Sequence, residues 1–317
     1  MIRKEQQILS KMYVIGNGFD IYHGFPTKFE HFRKFLIKKY NYDDRFDEIP
    51  ISQQQMNGDY GYDEDEMVSL FINLIDRFSD NNSDFLWGDF EETLGNIVFD
   101  EYIYEGIIQR DDEGDVHIAR TGENIELLSD GLNALVEHIK QCFYQWIKKI
   151  KILSKPKPEI IDLFNDHNAI FISFNYTETL EKVYLIPPKK VLHVHGKVSD
   201  DIVFGHGNAY IDYDSGMVYE YNANGMNARV SNTFRKPTET IISDIFANID
   251  VSHVKEIITF GFSFSKVDMT YFKYIFDMYD SSHMYIYVNS YDSDKIDQIK
   301  SKLESVGFRG MIEIYHL

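Results

Sequence analysis

Short runs of apolar residues alternate with amphipathic stretches over the second half of the chain. Strands of a parallel sheet covered by helices have this pattern, because neither face of such a strand meets water. The pattern therefore predicts an α/β fold built on a parallel sheet. The predicted strands are Ala169 to Phe174, Lys190 to Val194, Ile202 to Phe204, Glu256 to Phe260, Tyr285 to Val288 and Ile312 to Tyr315, and the predicted helices include Thr238 to Asn248, Met269 to Met278 and Asp294 to Val306.

An earlier apolar run, Met12 to Ile15, ends directly in Gly16-Asn17-Gly18. This arrangement predicts a buried strand that enters a glycine turn. A helix is predicted to follow from about Thr27, because its aromatic and aliphatic residues recur at helical spacing. We expect this first strand to join the later strands in one sheet with helices on both faces.

The region between the first strand and the later strands has a different pattern. Residues 41–66 contain nine acidic residues against one arginine and predict an exposed acidic loop. From Met67 to about Leu153 apolar residues recur in steps of three and four, which predicts helices, with a loop at Asp111 to Asp115. The predicted domains are therefore 1–40 with 155–317 as the α/β domain, and 41–154 as an acidic loop plus helical insertion subdomain.

The charge of the chain argues against one class of partner. Among 317 residues there are 32 Lys and Arg against 51 Asp and Glu, a net charge of −19. A field of this sign repels phosphate backbones, so nucleic acid is not an expected partner, although a local basic groove stays compatible with it.

The single cysteine, Cys142, can form neither an internal disulfide nor a cysteine-rich zinc site. This composition suits a reducing cytosol. The N-terminus, Met1 to Gln7, lacks the apolar core of a signal peptide, and no apolar run approaches the roughly 20 residues of a membrane helix. We therefore expect a cytoplasmic protein with no membrane partner.

Glycine, asparagine and histidine follow several of the predicted strands. Ligands of open parallel sheets bind beyond the carboxyl ends of the strands, so these turns are candidate site segments. They are Gly16-Asn17-Gly18, Phe174-Asn175-Tyr176-Thr177, His193-Val194-His195-Gly196, Phe204-Gly205-His206-Gly207-Asn208, Phe260-Gly261-Phe262-Ser263 and Tyr287-Val288-Asn289.

Each turn also has a structural interpretation. The first could be a plain tight turn, since Ile21 stands at the third glycine of the dinucleotide fingerprint. Asn175 could cap the following helix, and paired histidines are often structural. Ser263 lies outside a Gly-x-Ser-x-Gly elbow, so we interpret its loop as binding a ligand rather than attacking it. Trp87 to Glu91 could simply be an acidic helix start.

The order of these turns resembles that of the sirtuin fold. Gly16-x-Gly18 with Gly24-Phe25-Pro26 is similar to the sirtuin Gly-Ala-Gly loop and its later Gly-Ile-Pro, at the same spacing. Asn175 falls on the asparagine of the family's Gln-Asn-Ile-Asp motif, and His195-Gly196 on its catalytic His-Gly. The remaining similarities are Phe204-Gly205 to Phe-Gly-Glu, Gly261-Phe262-Ser263 to Gly-Thr-Ser, and Asn289 to a ribose-contacting asparagine.

A larger set of short motifs resembles the AbiH family of bacteriophage abortive-infection proteins, over about residues 12–290. The motifs are Ile15 to Asp20, His23 to Thr27, Trp87 to Glu91, Phe174 to Thr177 and His195-Gly196. The two resemblances together imply a Rossmann-like, sirtuin-like sheet. The sirtuin zinc module needs four cysteines, so this chain has no zinc module and protein deacylation is not expected.

Defence proteins with sirtuin-like domains commonly hydrolyse NAD, so the resemblance implies an antiphage effector that takes NAD as substrate and needs no metal. In that interpretation Asn175 holds the ribose hydroxyls or the attacking water, and His195 is the general base. Asp20 stabilises positive charge that develops on the ribose. The expected cofactor-binding residues are Gly16, Asn17, Gly18, Phe19, Gly205, Gly261, Ser263 and Asn289.

Two other functions stay open. A metal-dependent hydrolase or nuclease could use His193, His195 and His206 with Asp20. A non-catalytic nucleotide sensor could use the same glycine turns without His195. The resemblance also implies a phage-derived trigger and assembly into a homo-oligomer that gates the activity.

Overall fold

The computed structural model describes residues 10–54, 56, 58–78, 87–96, 109–199, 202–208, 228, 231–247 and 249–317. The chain forms two compact units. Unit 1 comprises Met1–Lys28, Ile147–Val203 and Pro237–Leu317, and unit 2 comprises Phe29–Trp146 and Phe204–Lys236. The domain bounds predicted from the sequence, 1–40 with 155–317 for the α/β domain and 41–154 for the insertion, remain a prediction.

Unit 1 is built on a parallel sheet, which confirms the predicted α/β class. Its strands are β1 (Lys11–Ile15), β4 (Ala169–Ser173), β5 (Val191–His193), β6 (Glu256–Phe260), β7 (Tyr285–Asn289) and β8 (Met311–Tyr315). The order across the sheet is β5-β4-β1-β6-β7-β8, and every neighbouring pair is parallel. The first strand therefore joins the later strands, as the sequence predicts.

The strand order has a consequence for ligand binding. Numbered along the chain, the six strands of unit 1 lie in the order 3-2-1-4-5-6, which is the order of the doubly wound dinucleotide-binding sheet. The chain runs outward from β1 to β5 and then returns to β6 on the other side of β1. Sheets of this kind bind ligands where the order reverses, which here is beyond the carboxyl ends of β1 and β6.

Helices cover both faces of this sheet. They are α1 (Asn17–Tyr22), α6 (Pro158–Leu163), α7 (Thr179–Tyr184), α8 (Thr238–Phe246), α9 (Met269–Met278) and α10 (Ile296–Ser305). Side chains alternate along β1, so Met12 and Val14 pack in one core with α8, α9 and α10. Tyr13 and Ile15 pack in the other core with α1, α6 and α7.

Unit 2 is mainly helical. It contains α2 (Phe29–Lys39), α3 (Glu64–Phe78), α4 (Trp87–Asn96) and α5 (Ile118–Lys149), with a two-stranded hairpin of β2 (Gln53–Gln54) and β3 (Tyr60–Gly61) inside the acidic stretch. Lys236, which has no exposed surface, forms an ion pair of 2.5 Å with the buried Glu91 of α4. None of the described helices is both long and apolar enough to cross a membrane.

Most predicted elements of unit 1 agree with the structure, and one does not. The bounds predicted for β6 and α9 are those observed. The strand predicted at Ile202 to Phe204 is wrong, because these residues do not pair with any of the described strands. Val203 instead donates one backbone hydrogen bond to His195. Asn248, the predicted end of α8, lies outside the described residues.

Candidate functional site

Turns after the strands of unit 1 bring most of the predicted site residues to one edge of the sheet. Parallel strands end at a common edge, and ligands of open α/β sheets bind there. The residues at this edge are Gly16, Asn17, Gly18, Phe19 and Asp20 after β1, Asn175 after β4, His195 after β5, Gly261 and Ser263 after β6, and Asn289 at the end of β7.

The glycine turn after β1 contacts the loop after β6 through backbone atoms. The Gly16 N–H donates to the carbonyl of Phe260, and the Gly18 N–H donates to the carbonyl of Gly261. A Cβ atom on Gly18 would lie 2.6 Å from the Cα atom of Gly261, and one on Gly16 would overlap the Gly261 carbonyl. These glycines therefore let two loops touch at the reversal point of the sheet. The Phe19 N–H also donates within the turn, to the carbonyl of Gly16.

Asn175 presents a buried amide at this edge. The pairing of β4 with β5 ends at Ser173 and His193, so Asn175 follows β4 and His195 follows β5 at the same edge of the sheet. The residue is 5% exposed, and neither Oδ1 nor Nδ2 makes a hydrogen bond of normal geometry among the described residues. Leaving a buried amide unsatisfied costs about 1–3 kcal/mol, so the side chain is poised for a polar ligand.

Asp20, in the helix after β1, is a second buried polar side chain at this edge. Thr177 donates a hydrogen bond of 2.5 Å to its Oδ2 atom, and Thr179 donates one of 2.6 Å to its Oδ1 atom. Burial raises the pKa of Asp20 to about 6, although both hydroxyls and the nearby Asn175 amide oppose the rise. Both oxygens of Asp20 are therefore engaged by the segment that carries Asn175.

The two neighbouring histidines of β5 have different partners. The Nδ1 atom of His193 lies 3.0 Å from the carbonyl oxygen of Asn175, and its Nε2 atom lies 2.9 Å from Oε1 of Glu181. The Nε2 atom of His195 lies 3.8 Å from Oδ1 of Asp268, and both of these side chains are buried. In these contacts the two imidazoles therefore face different side chains.

Aromatic rings surround His195. The ring centroids of Phe174, Tyr176 and Tyr271 lie 5.4, 6.0 and 6.2 Å from that of the imidazole. This apolar wall shields the imidazole and the carboxylate of Asp268 from bulk water. An imidazole that faces a carboxylate can accept a proton, because the carboxylate stabilises the resulting positive charge.

The later strands supply two further predicted residues. Ser263 is exposed, one residue before Phe264, whose backbone adopts a left-handed φ of +52°. Such a conformation is unfavourable for a bulky residue and is concentrated at functional sites. Asn289 is buried, and its Oδ1 atom accepts from the Tyr291 N–H at 2.9 Å. Its Nδ2 atom has no hydrogen-bond partner among the described residues.

Gly205 and His206 belong to unit 2, where packing accounts for both. A Cβ atom on Gly205 would overlap the carbonyl oxygen of Phe234, so a close backbone approach requires glycine there. The Nδ1 atom of His206 accepts from the Asn208 N–H at 3.1 Å, and its Nε2 atom donates to the Ser231 carbonyl at 2.8 Å. Burial lowers the pKa of His206.

The histidines suggested for metal binding contact other groups of the protein. Both ring nitrogens of His193 and both of His206 have hydrogen-bond partners. Within the described ranges, no group of three or more His, Cys, Asp or Glu side chains is arranged to hold a metal ion. The described residues therefore offer no ligand set for the metal-dependent alternative.

Three residues of this edge were given no role by the sequence. Asp268 stands before α9, where an acidic residue is expected as a helix cap, yet its side chain faces His195. Thr179 and Glu181 belong to the first turn of α7 and contact Asp20 and His193. Only the position of Asp268 in a strand-loop-helix segment could have indicated a site residue.

A comparison with family models finds one that matches residues 12–290, described as bacteriophage abortive infection AbiH. The match covers β1 to β7 and most of the site edge. No curated protein and no solved structure matches the chain.

Proposed function

The chain belongs to the AbiH family of bacteriophage abortive-infection proteins, and we propose that it acts there by hydrolysing NAD at the nicotinamide–ribose bond. One observation carries the proposal: the buried amide of Asn175 makes no hydrogen bond of normal geometry among the described residues, at the edge of a doubly wound sheet where ligands bind and where His195 also lies. An amide that can both donate and accept suits a ribose hydroxyl or an attacking water.

The proposed reaction needs little besides orientation and one proton acceptor. Water attacks the ribose carbon as its bond to the nicotinamide nitrogen breaks, and the bond electrons neutralise the departing pyridinium. His195 takes the proton of the attacking water, and the carboxylate of Asp268, 3.8 Å away, stabilises the imidazolium. The products are nicotinamide, ADP-ribose and a proton that returns to solvent.

The remaining expected residues have narrower roles in this proposal. Asp20 positions the Asn175 segment through Thr177 and Thr179, because both of its oxygens are already engaged there. Gly16 and Gly18 allow close approach of a pyrophosphate rather than donating to it, since their N–H groups are used. By resemblance, Asn17 and Ser263 would contact phosphate, and Asn289 the adenosine ribose.

The test measures nicotinamide release from NAD by the purified protein, with and without a chelator. We expect release to survive the chelator and to fall by about 100-fold or more in both Asn175→Ala and His195→Ala. Asn168→Ala is the matched control, because Asn168 is an exposed asparagine at the opposite end of β4. Its rate should equal that of the unmodified protein.

A second arm covers activation by a phage-derived trigger. NAD is measured in infected cells that produce either the unmodified chain or Asn175→Ala. We expect NAD to fall only with the unmodified chain. NAD that persists in both, with NAD bound by the purified protein, would instead establish a non-catalytic sensor.

A further inference from the structure

Two largely buried side chains, one of which contacts the backbone of Asn175, have no role in the reaction proposed above. His193 lies at the end of β5, and Glu181 lies in the first turn of α7. Their side chains are only 7% and 11% exposed. The imidazole bridges the two elements, because one ring nitrogen contacts the Asn175 carbonyl and the other contacts the Glu181 carboxylate.

Both neighbours of the His193 ring accept hydrogen bonds. A backbone carbonyl has no proton to give, and an ionised carboxylate has none either. The two ring nitrogens lie 3.0 Å and 2.9 Å from these acceptors, so the ring links the Asn175 carbonyl to the Glu181 carboxylate. A hydrogen bond to a carboxylate is shorter and stronger than a neutral one, so the contact with Glu181 makes the ring a firm anchor for a backbone atom.

We propose that Glu181 and His193 form a positioning pair that holds the Asn175 backbone so that its side-chain amide faces the substrate, a role that rests on the proposed NAD hydrolysis. The pair holds the residue at its carbonyl, and Asp20 holds the same segment at Thr177 and Thr179. The charge of His193 also lowers the pKa of Asp20, which places the two anchors in one electrostatic network.

Two substitutions separate the two contacts of the ring. In His193→Asn the new amide nitrogen lies near the former Nδ1 position and can still donate to the Asn175 carbonyl. In His193→Gln the amide nitrogen lies near the former Nε2 position and can reach Glu181 alone. The two variants remove the same ring, so they differ in which hydrogen bond survives.

If the pair positions Asn175, the two variants should differ in kcat. We expect kcat for NAD to stay within about threefold in His193→Asn and to fall by about 100-fold in His193→Gln, because a small misplacement of a reacting group costs about that much. KM should change little in either. His253→Gln, an exposed histidine before β6, is the matched control and should match the unmodified protein. Equal losses in both variants, or a loss in KM instead of kcat, would overturn the positioning role.

Hydrogen exchange gives a readout that does not depend on NAD cleavage. Peptides that cover residues 174–180 should exchange faster in His193→Gln and at the unmodified rate in His193→Asn. If the unmodified protein does not cleave NAD but exchange follows this pattern, the proposed reaction fails while the anchor stands. Unchanged exchange in His193→Gln would show that the pair does not hold the segment.

Discussion

At the scale of single residues, burial at the site edge changes the ionisation of a carboxyl group. Asp20 is 1% exposed and accepts hydrogen bonds from two neutral hydroxyl groups. Removing a carboxylate from water disfavours its charged form, and here that effect exceeds the gain from the hydroxyls, because the pKa of Asp20 rises to about 6. The group therefore ionises within the range of ordinary working pH.

This pKa makes a prediction about stability. Because the folded pKa lies above the ordinary value of 3.8, the contribution of Asp20 to stability is full below that value and is lost as pH rises through about 6. Asp20→Asn removes the titration and keeps the shape of the side chain. From about pH 4 to about pH 7, the unfolding free energy of the variant relative to the unmodified protein should rise by about 2 kcal/mol.

Denaturant unfolding at several pH values measures this difference, and groups that titrate alike in both proteins cancel. The pH-independent effect of exchanging a carboxylate for an amide also drops out. A difference between the two proteins that stays constant across this range would contradict a raised pKa for Asp20.

At the scale of elements, the site depends on loops that touch. The turn between β1 and α1 meets the loop between β6 and α9 through Gly16, Gly18 and Gly261. Gly261 also has a left-handed φ of +58°, so it is constrained both by its conformation and by its neighbours. This contact closes the reversal point of the sheet and fixes the distance between the two loops.

Substituting alanine at Gly261 tests this contact. The new Cβ atom would overlap the backbone of Gly18 and Phe19, so we expect a loss of about 2 kcal/mol or more in unfolding free energy. Gly122→Ala is the matched control, because Gly122 lies in α5 with nothing within 4 Å of the new atom. That variant should gain about 0.5–1 kcal/mol. Similar effects at the two positions would show that the loops do not need glycine.

At the scale of the whole molecule, charge is the dominant property. The net charge of −19 means that acidic side chains repel one another over the surface, which disfavours a compact state. The described ion pairs offset only part of this, since many join exposed side chains such as Lys273 and Asp277.

Salt should therefore stabilise the protein. Raising NaCl from about 10 mM to about 200 mM shortens the screening distance from about 30 Å to under 10 Å, so the melting temperature should rise by about 2–4 °C. The rise should shrink as the pH is lowered toward the carboxylate pKa values, because the net charge then falls. A lower melting temperature at the higher salt concentration would mean that attractive pairs outweigh the repulsion.

The sequence was most informative where local pattern decides structure. The apolar runs identified β4, β6, β7 and β8 to within a residue or two, and the helical period identified α9. The prediction failed at Ile202 to Phe204. A strand needs a neighbouring strand to pair with, and a short apolar run does not reveal whether the fold provides one. The motifs also indicated the family, which the match over residues 12–290 establishes.

What the sequence by itself determined is thus the class of the sheet, most of its strands, the turns at their ends and the family. Those properties follow from periodicity and turn chemistry among adjacent residues. Only the tertiary structure decided what each polar side chain faces. Thr177 lies 157 residues after Asp20 in the chain, and His195 precedes Asp268 by more than a helix and a strand. Such pairings depend on strand order, since parallel strands bring distant turns to one edge, and no local pattern encodes that order.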